Sequence, residues 1–139
     1  MTATILHVVP AAEWARDADR PYAPASLHTE GFVHCSPDVA TTLAVATAFY
    51  ADAPRPLLAL HLDPARLVAE VVLEAPTPTP PPGVADDVLF PHVRGPLDRA
   101  AVVRVQEVVF EGRDAVRLED PRPTLTGDST DRGSEGRGG

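Results

Sequence analysis

Short apolar runs separated by proline or glycine restrict this chain to short strands and helices joined by turns. Residues 4–9, 57–63, 69–75 and 101–110 favour strands, and residues 31–36 form a shorter run of the same kind. The alternation of the last long run slips near Gln106 and Glu107, which predicts a β-bulge. Two segments favour helices: residues 10–18 contain good helix formers, and residues 36–50 repeat apolar side chains at helical spacing. The sequence therefore predicts an α+β fold.

Residues 1–120 are predicted to form a single domain, because 139 residues is an ordinary domain length and 44% of them are hydrophobic. The segment "PTPTPPPG", residues 76–83, is predicted to be an extended surface arm, since proline cannot donate to a sheet. Residues 121–139 are rich in glycine, serine, threonine and balanced charge. That composition predicts a disordered tail.

The charge and the rare residues exclude several classes of function. The formal net charge is −8, so a polyanionic nucleic acid is not an expected partner. All basic side chains are arginine, so no lysine is available for Schiff-base chemistry. Cys35 is the single cysteine, which excludes an internal disulfide and fits a reducing compartment. No signal-peptide pattern and no membrane-spanning apolar run are present, so a cytoplasmic protein without membrane contact is expected.

The histidines His7, His34 and His92 lie inside apolar segments, where a core gains nothing from an imidazole. His7 shares a strand face with Ile5 and Val9, and His34 shares one with Phe32 and Ser36 by strand alternation. His92 lies in "LFPHVRGPL". If the strand of His7 lies beside that of His34, the three imidazoles are expected to meet in a cleft. His28 and His61 are expected to be structural or exposed.

The segment "HCSPDV" places a strand end at a helix start. Ser36 is predicted to be the N-cap, with Pro37 at the first helical position. The free N–H groups of a helix start can receive a phosphate or a ribose hydroxyl, although capping alone also explains Ser36. Arg94, in the turn-like "HVRGP", is a candidate phosphate clamp. Glu30 is a candidate for orienting an imidazole, and Glu74 for a catalytic or ribose-orienting carboxylate.

Two other chemistries fit some of these residues. His7, His34 and His92, with Cys35 or Glu30, are side-chain types that bind zinc. No H-E-x-x-H or CxxC spacing is present, so no metal is expected. Cys35 also precedes a helix start, where a thiol can become a nucleophile, but no histidine shares its strand face.

Four segments together resemble the DUF952 family, a group of small bacterial proteins. They are "ILHVVPAAEW", "YAPASLHTEGFVHCSPDVATTLA", "LLALHLDPARL" and "FPHVRGPLDRAAV", and the resemblance runs from about Ile5 to Val105. Family members typically carry tyrosine at the position of Arg94. The family in turn is similar to a compact ADP-ribosyltransferase fold, which implies a split β-sheet with a few short helices.

The resemblance also implies a chemistry. His7 matches the first-strand histidine that binds the ribose next to nicotinamide, while His34 and Ser36 fall on the second strand and His92 supplies a third polar group. The implied enzyme cleaves the nicotinamide–ribose bond of NAD, or acts on an ADP-ribose-containing nucleotide, through an oxocarbenium-like transition state. NAD enters as a substrate, and the acceptor is unspecified. A non-catalytic nucleotide-binding domain with the same pocket, or a metal-dependent enzyme using the histidines, remains an alternative.

Overall fold

The computed structural model describes residues 4–76 and 80–121. Three α-helices lie within these residues: α1 (Ala11–Ala15), α2 (Ala25–Thr29) and α3 (Val39–Phe49). Short 3₁₀ turns cover Pro64–Arg66 and Arg99–Ala101. The strands of the same residues are β1 (Ile5–Pro10), β2 (Val33–His34), β3 (Leu57–Leu62), β4 (Val71–Glu74), β5 (Phe90–Val93), β6 (Val102–Glu111) and β7 (Asp114–Glu119).

The strands form two antiparallel sheets that are joined at one edge. The larger sheet has the order β1-β3-β6-β7 and the smaller the order β2-β5-β4. Ser36, just after β2, exchanges two backbone hydrogen bonds with Leu6 of β1, at 2.9 and 2.7 Å. This bridge connects the edge strand of the larger sheet to the edge strand of the smaller one. The fold is a mixed α/β arrangement of two antiparallel sheets with few helices, as the α+β prediction required.

Strand β1 is buried on both faces because a different core packs on each. Ile5 and Val9 belong to the core that also contains Val33 of β2. Leu6 and Val8 belong to the second core, which lies under α3. The predicted sharing of one face by His7, Ile5 and Val9 follows from this alternation.

Most predicted elements are present with shifted ends. The four long strand predictions are confirmed within two residues, and the helix predicted over 10–18 is limited to α1. The strand predicted over 31–36 pairs regularly only at Val33–His34, and α2 was not predicted. The register shifts lie at His61/Leu62 and at Val109/Phe110, so the bulge predicted near Gln106 was misplaced.

The start of α3 corrects the predicted N-cap. Asp38, with extended φ and ψ of −156° and 174°, is the capping residue. Its carboxylate accepts a hydrogen bond from the Thr41 N–H at 2.7 Å. Ser36 lies two residues before Asp38 and does not cap α3, because its backbone is held in the bridge to Leu6. The helix start thus already carries a negative charge, which opposes an anionic ligand there.

The proline-rich arm and the tail are described only in part. Residues 77–79 of the arm lie outside the described residues, and so does the predicted tail after Pro121. Pro81 is buried, which departs from a purely exposed arm. Among residues 4–76 and 80–121, no helix has the length and apolar character needed to cross a bilayer.

Candidate functional site

A cleft of about 360 Å³ is lined by residues of both sheets and of α3. Strand β1 contributes Leu6 and Val8 to its wall, and α3 closes one side with Val45 and Phe49. We call this the histidine cleft, because two imidazoles are among its other lining side chains. They are Glu30, Phe32, His34, Cys35, Ser36, Tyr50, Pro76, Pro81, Phe90 and His92.

His34 and His92 meet because the strand register pairs them directly. They are opposite residues in the antiparallel β2–β5 pair. Their ring centroids lie 5.4 Å apart with the rings nearly perpendicular, at 76°. Phe32 stacks on His92 at 4.0 Å between centroids and meets His34 edge-on at 4.7 Å. One aromatic ring therefore fixes the orientation of both imidazoles.

Each imidazole has a glutamate partner. The Nε2 atom of His34 lies 3.1 Å from Oε2 of Glu30, and both side chains are about half exposed, at 51% and 49%. Gly31 makes this pair possible: its φ of 85° ends α2 and turns the chain back into β2. The chain turn places Glu30 beside the histidine that follows it by four residues.

His92 is the more buried of the two, with its side chain only 10% exposed. Its Nδ1 atom lies 2.7 Å from Oε1 of Glu74, and Arg94 donates to the other carboxylate oxygen at 3.2 Å. The hydrogen bond from His92 and the charge of Arg94 lower the pKa of Glu74, so this carboxylate is ionised at neutral pH. An ionised carboxylate only accepts, so Nδ1 of His92 carries the proton of this hydrogen bond and Nε2 is left to face the cleft.

Ser36 adds a hydroxyl to the cleft. The residue is only 4% exposed, and its hydroxyl forms no hydrogen bond with the residues that the structure describes. Buried hydroxyls normally have a partner, so this group is available to a ligand. Arg94 is not part of the cleft wall; its contact is with Glu74.

His7 lies on the opposite face of β1 from the cleft-lining Leu6 and Val8. Its ring packs against Tyr22, at 5.9 Å between centroids, and its Nδ1 lies 2.6 Å from the carbonyl oxygen of His34. Burial lowers the pKa of His7, so the ring is neutral and Nδ1–H donates to that carbonyl. The structure brings His34 and His92 together, and His7 supports the backbone beneath His34.

The remaining candidates have simpler environments. Cys35 is buried, and burial raises the pKa of its thiol far above neutral pH, which leaves no thiolate to act as a nucleophile. His61 is buried with Nε2 at 2.9 Å from Oε1 of Gln106, and His28 is exposed on α2. In the described part of the chain, no group of three or more histidine, cysteine, aspartate or glutamate side chains is arranged to hold a metal ion.

The aromatic wall was not identified from the sequence. Phe32 had a signal, because alternation places it on the face of His34. Phe49 and Tyr50 had none, because apolar side chains at helical spacing favour a buried face. Phe90 had none either, because its strand was not predicted. Phe49 is in fact 70% exposed and lines the cleft.

The comparisons with known proteins agree with this architecture. A family model described as "Protein of unknown function (DUF952)" matches residues 8–105. The chain belongs to the DUF952 family. A crystal structure of protein CC0527 from Caulobacter crescentus is similar, with 26% identity and a TM-score of 0.56, over 82% of this chain and 92% of that one. A double mutant of CC0527 gives 25% identity with the same TM-score and coverage. No curated protein sequence gives a significant match.

Proposed function

We propose that the histidine cleft binds the nicotinamide–ribose half of NAD, or of a related ADP-ribose-containing nucleotide, and cleaves the glycosidic bond there. The observation that carries the proposal is the facing pair of imidazoles, each with its own glutamate, in an apolar cleft. A volume of about 360 Å³ is near the lower end for ligand sites. It suits one nucleoside half better than a whole dinucleotide.

The lining divides into parts that match the two parts of such a ligand. Phe32, Phe49, Tyr50 and Phe90 offer aromatic surface to a planar heteroaromatic ring. The Ser36 hydroxyl can donate to and accept from a ribose hydroxyl, and Nε2 of His92 can form a hydrogen bond with another. The split sheet and the family resemblance further support an ADP-ribosyltransferase-like fold, by analogy alone.

The charges suit the bond that breaks. When the C–N glycosidic bond cleaves, nicotinamide leaves as a neutral base and positive charge develops on the ribose. The ionised Glu74, acting through His92, stabilises that charge. His34 lies closer to solvent and is placed to accept the proton of an attacking water or acceptor hydroxyl, with Glu30 orienting its ring. His7 acts as a positioning residue through the His34 carbonyl.

Binding and turnover can be tested separately. Binding is measured by titrating the histidine side-chain NMR signals with NAD, and turnover by chromatographic detection of released nicotinamide. We expect saturable shifts at His34 and His92 and none at His28, which lies outside the cleft. His34→Gln should reduce nicotinamide release by about 10²-fold or more, as loss of a general base does. His28→Gln is the matched control, and absence of saturable shifts at millimolar NAD would refute the proposal.

A non-catalytic nucleotide-binding domain is the second candidate. It is favoured by the engagement of Glu74, whose two oxygens are already bonded to His92 and Arg94. A carboxylate held in this way has less freedom to contact a ribose directly. NAD binding at the two imidazoles without nicotinamide release over a long incubation would identify this case.

A further inference from the structure

A second cleft, of about 460 Å³, shares no lining residue with the histidine cleft. Its wall includes Tyr22, which packs against the face of β1 that carries His7. We call it the arginine cleft. The charged side chains that line it are Glu13, Arg16, Asp17, Arg20 and Arg99.

Unneutralised positive charge collects in the arginine cleft although the protein is acidic. Nine arginines lie in the described residues, and five of them pair with carboxylates: Arg66, Arg94, Arg104, Arg113 and Arg117. Arg55 instead donates to three backbone carbonyls after α3. The other three, Arg16, Arg20 and Arg99, form no ion pair with described residues, and all three line this cleft.

Arg99 lines the cleft and holds the backbone around it. Its guanidinium lies 4.2 Å from the ring centroid of Trp14 and donates to the carbonyls of Trp14, Arg16, Asp17 and Arg20, at 2.6 to 3.3 Å. Asp17 has a positive φ of 50°, which is uncommon outside glycine and persists where the surroundings fix it. The carbonyls satisfy the donors of Arg99 but leave its charge uncompensated.

Arg16 and Arg20 extend from this fixed loop and are exposed. Neither side chain forms a hydrogen bond with the described residues. The two carboxylates of the cleft, Glu13 and Asp17, compensate only part of the charge of three guanidinium groups, and Glu13 also accepts a hydrogen bond from the Tyr22 hydroxyl. The loop over residues 16–20 therefore presents the guanidinium groups of Arg16 and Arg20 without a partner among the described residues. The hydrogen bonds from Arg99 hold the backbone of this loop in place.

We propose that Arg16 and Arg20 bind a small multivalent oxyanion, either the phosphate of a phosphomonoester or a dicarboxylate. Guanidinium groups match both through paired N–H···O hydrogen bonds. A multivalent anion is required, because it must overcome the net charge of −8 and the two nearby carboxylates. This site is distinct from the histidine cleft and does not depend on the function proposed for it.

The test is an NMR titration with inorganic phosphate and, separately, with succinate, each at constant ionic strength balanced by sodium chloride. The readout is the arginine side-chain N–H signals and the backbone amides. We expect saturable shifts confined to the loop around Arg16 and Arg20. The Arg16→Gln/Arg20→Gln double variant should weaken the affinity at least about tenfold, since both forks are lost. The Arg66→Gln/Arg117→Gln variant removes the same charge elsewhere and should leave the affinity unchanged.

The two ligands distinguish the chemistry. Preference for phosphate identifies a phosphomonoester site, and preference for succinate identifies a dicarboxylate site. The proposal is overturned if neither ligand gives saturable shifts, or if the Arg16→Gln/Arg20→Gln variant binds as tightly as the Arg66→Gln/Arg117→Gln control. The backbone spectrum of each variant shows whether it is folded, and both pairs of side chains are exposed, so no loss of fold is expected.

Discussion

Acid pH should destabilise the protein through His7, and His7→Asn should remove that effect. His7 is 6% exposed, and burial lowers its pKa in the folded state below the ordinary value of 6.5. The unfolded chain has no such burial, so below pH 6.5 it binds more protons at this position than the folded chain does. The free energy of unfolding should therefore be at its full value above about pH 6.5 and fall as the pH is lowered toward the folded pKa.

The size of the effect follows from one proton. Each pH unit between the two pKa values removes up to about 1.4 kcal/mol of stability for a single proton taken up on unfolding. His7→Asn keeps an N–H donor for the His34 carbonyl but cannot titrate. The variant should lose some stability at all pH values, because the smaller side chain leaves a void. Its stability should nevertheless fall less steeply in acid.

The assay is urea denaturation followed by circular dichroism from about pH 8 to about pH 5. The quantity of interest is the difference between wild type and His7→Asn, because the other four histidines are present in both proteins. His28→Asn is the control, since His28 is exposed and its loss should leave the pH dependence parallel to wild type. Parallel curves for wild type and His7→Asn would show that His7 is not held neutral by burial.

Three further predictions concern single contacts. Asp38→Ala should lower the free energy of unfolding by about 1 kcal/mol, because it removes the N-cap of α3. Ser36→Ala should cost less in the same urea titration, and an equal loss would contradict the assignment of the cap. Gly95→Ala should cost about 1–3 kcal/mol, because the added Cβ would lie 2.8 Å from the Cβ of Ala69. Adding Ala69→Gly should recover part of the loss by relieving the clash. The Cys35 thiol should react with a disulfide reagent at about pH 8 only as fast as the protein opens, because burial raises its pKa; rapid labelling of the folded protein would refute this.

Local patterns predicted most of the larger sheet, but β5 was not predicted. Its sequence "FPHV" contains Pro91, and proline in a run argues against a central strand. Strand β5 is nevertheless central in the smaller sheet, and the Pro91 carbonyl accepts the Cys35 N–H at 3.0 Å. The start of α3 also depends on a long-range contact. Ser36 and Asp38 are both good N-cap residues, and Asp38 caps the helix because the backbone of Ser36 is paired with Leu6.

Local sequence is enough to place Phe32, His34 and Ser36 on one face at the end of a short strand, because side chains alternate along any extended chain. The same alternation places His7 on one strand face with Ile5 and Val9. The residues that each face contacts depend on long-range pairing. The β2–β5 register places His92 opposite His34, while the opposite face of β1 holds His7 against Tyr22 and beneath the His34 carbonyl. Alternation fixes which side chains point together, but the partner on each side depends on pairings between residues far apart in the sequence.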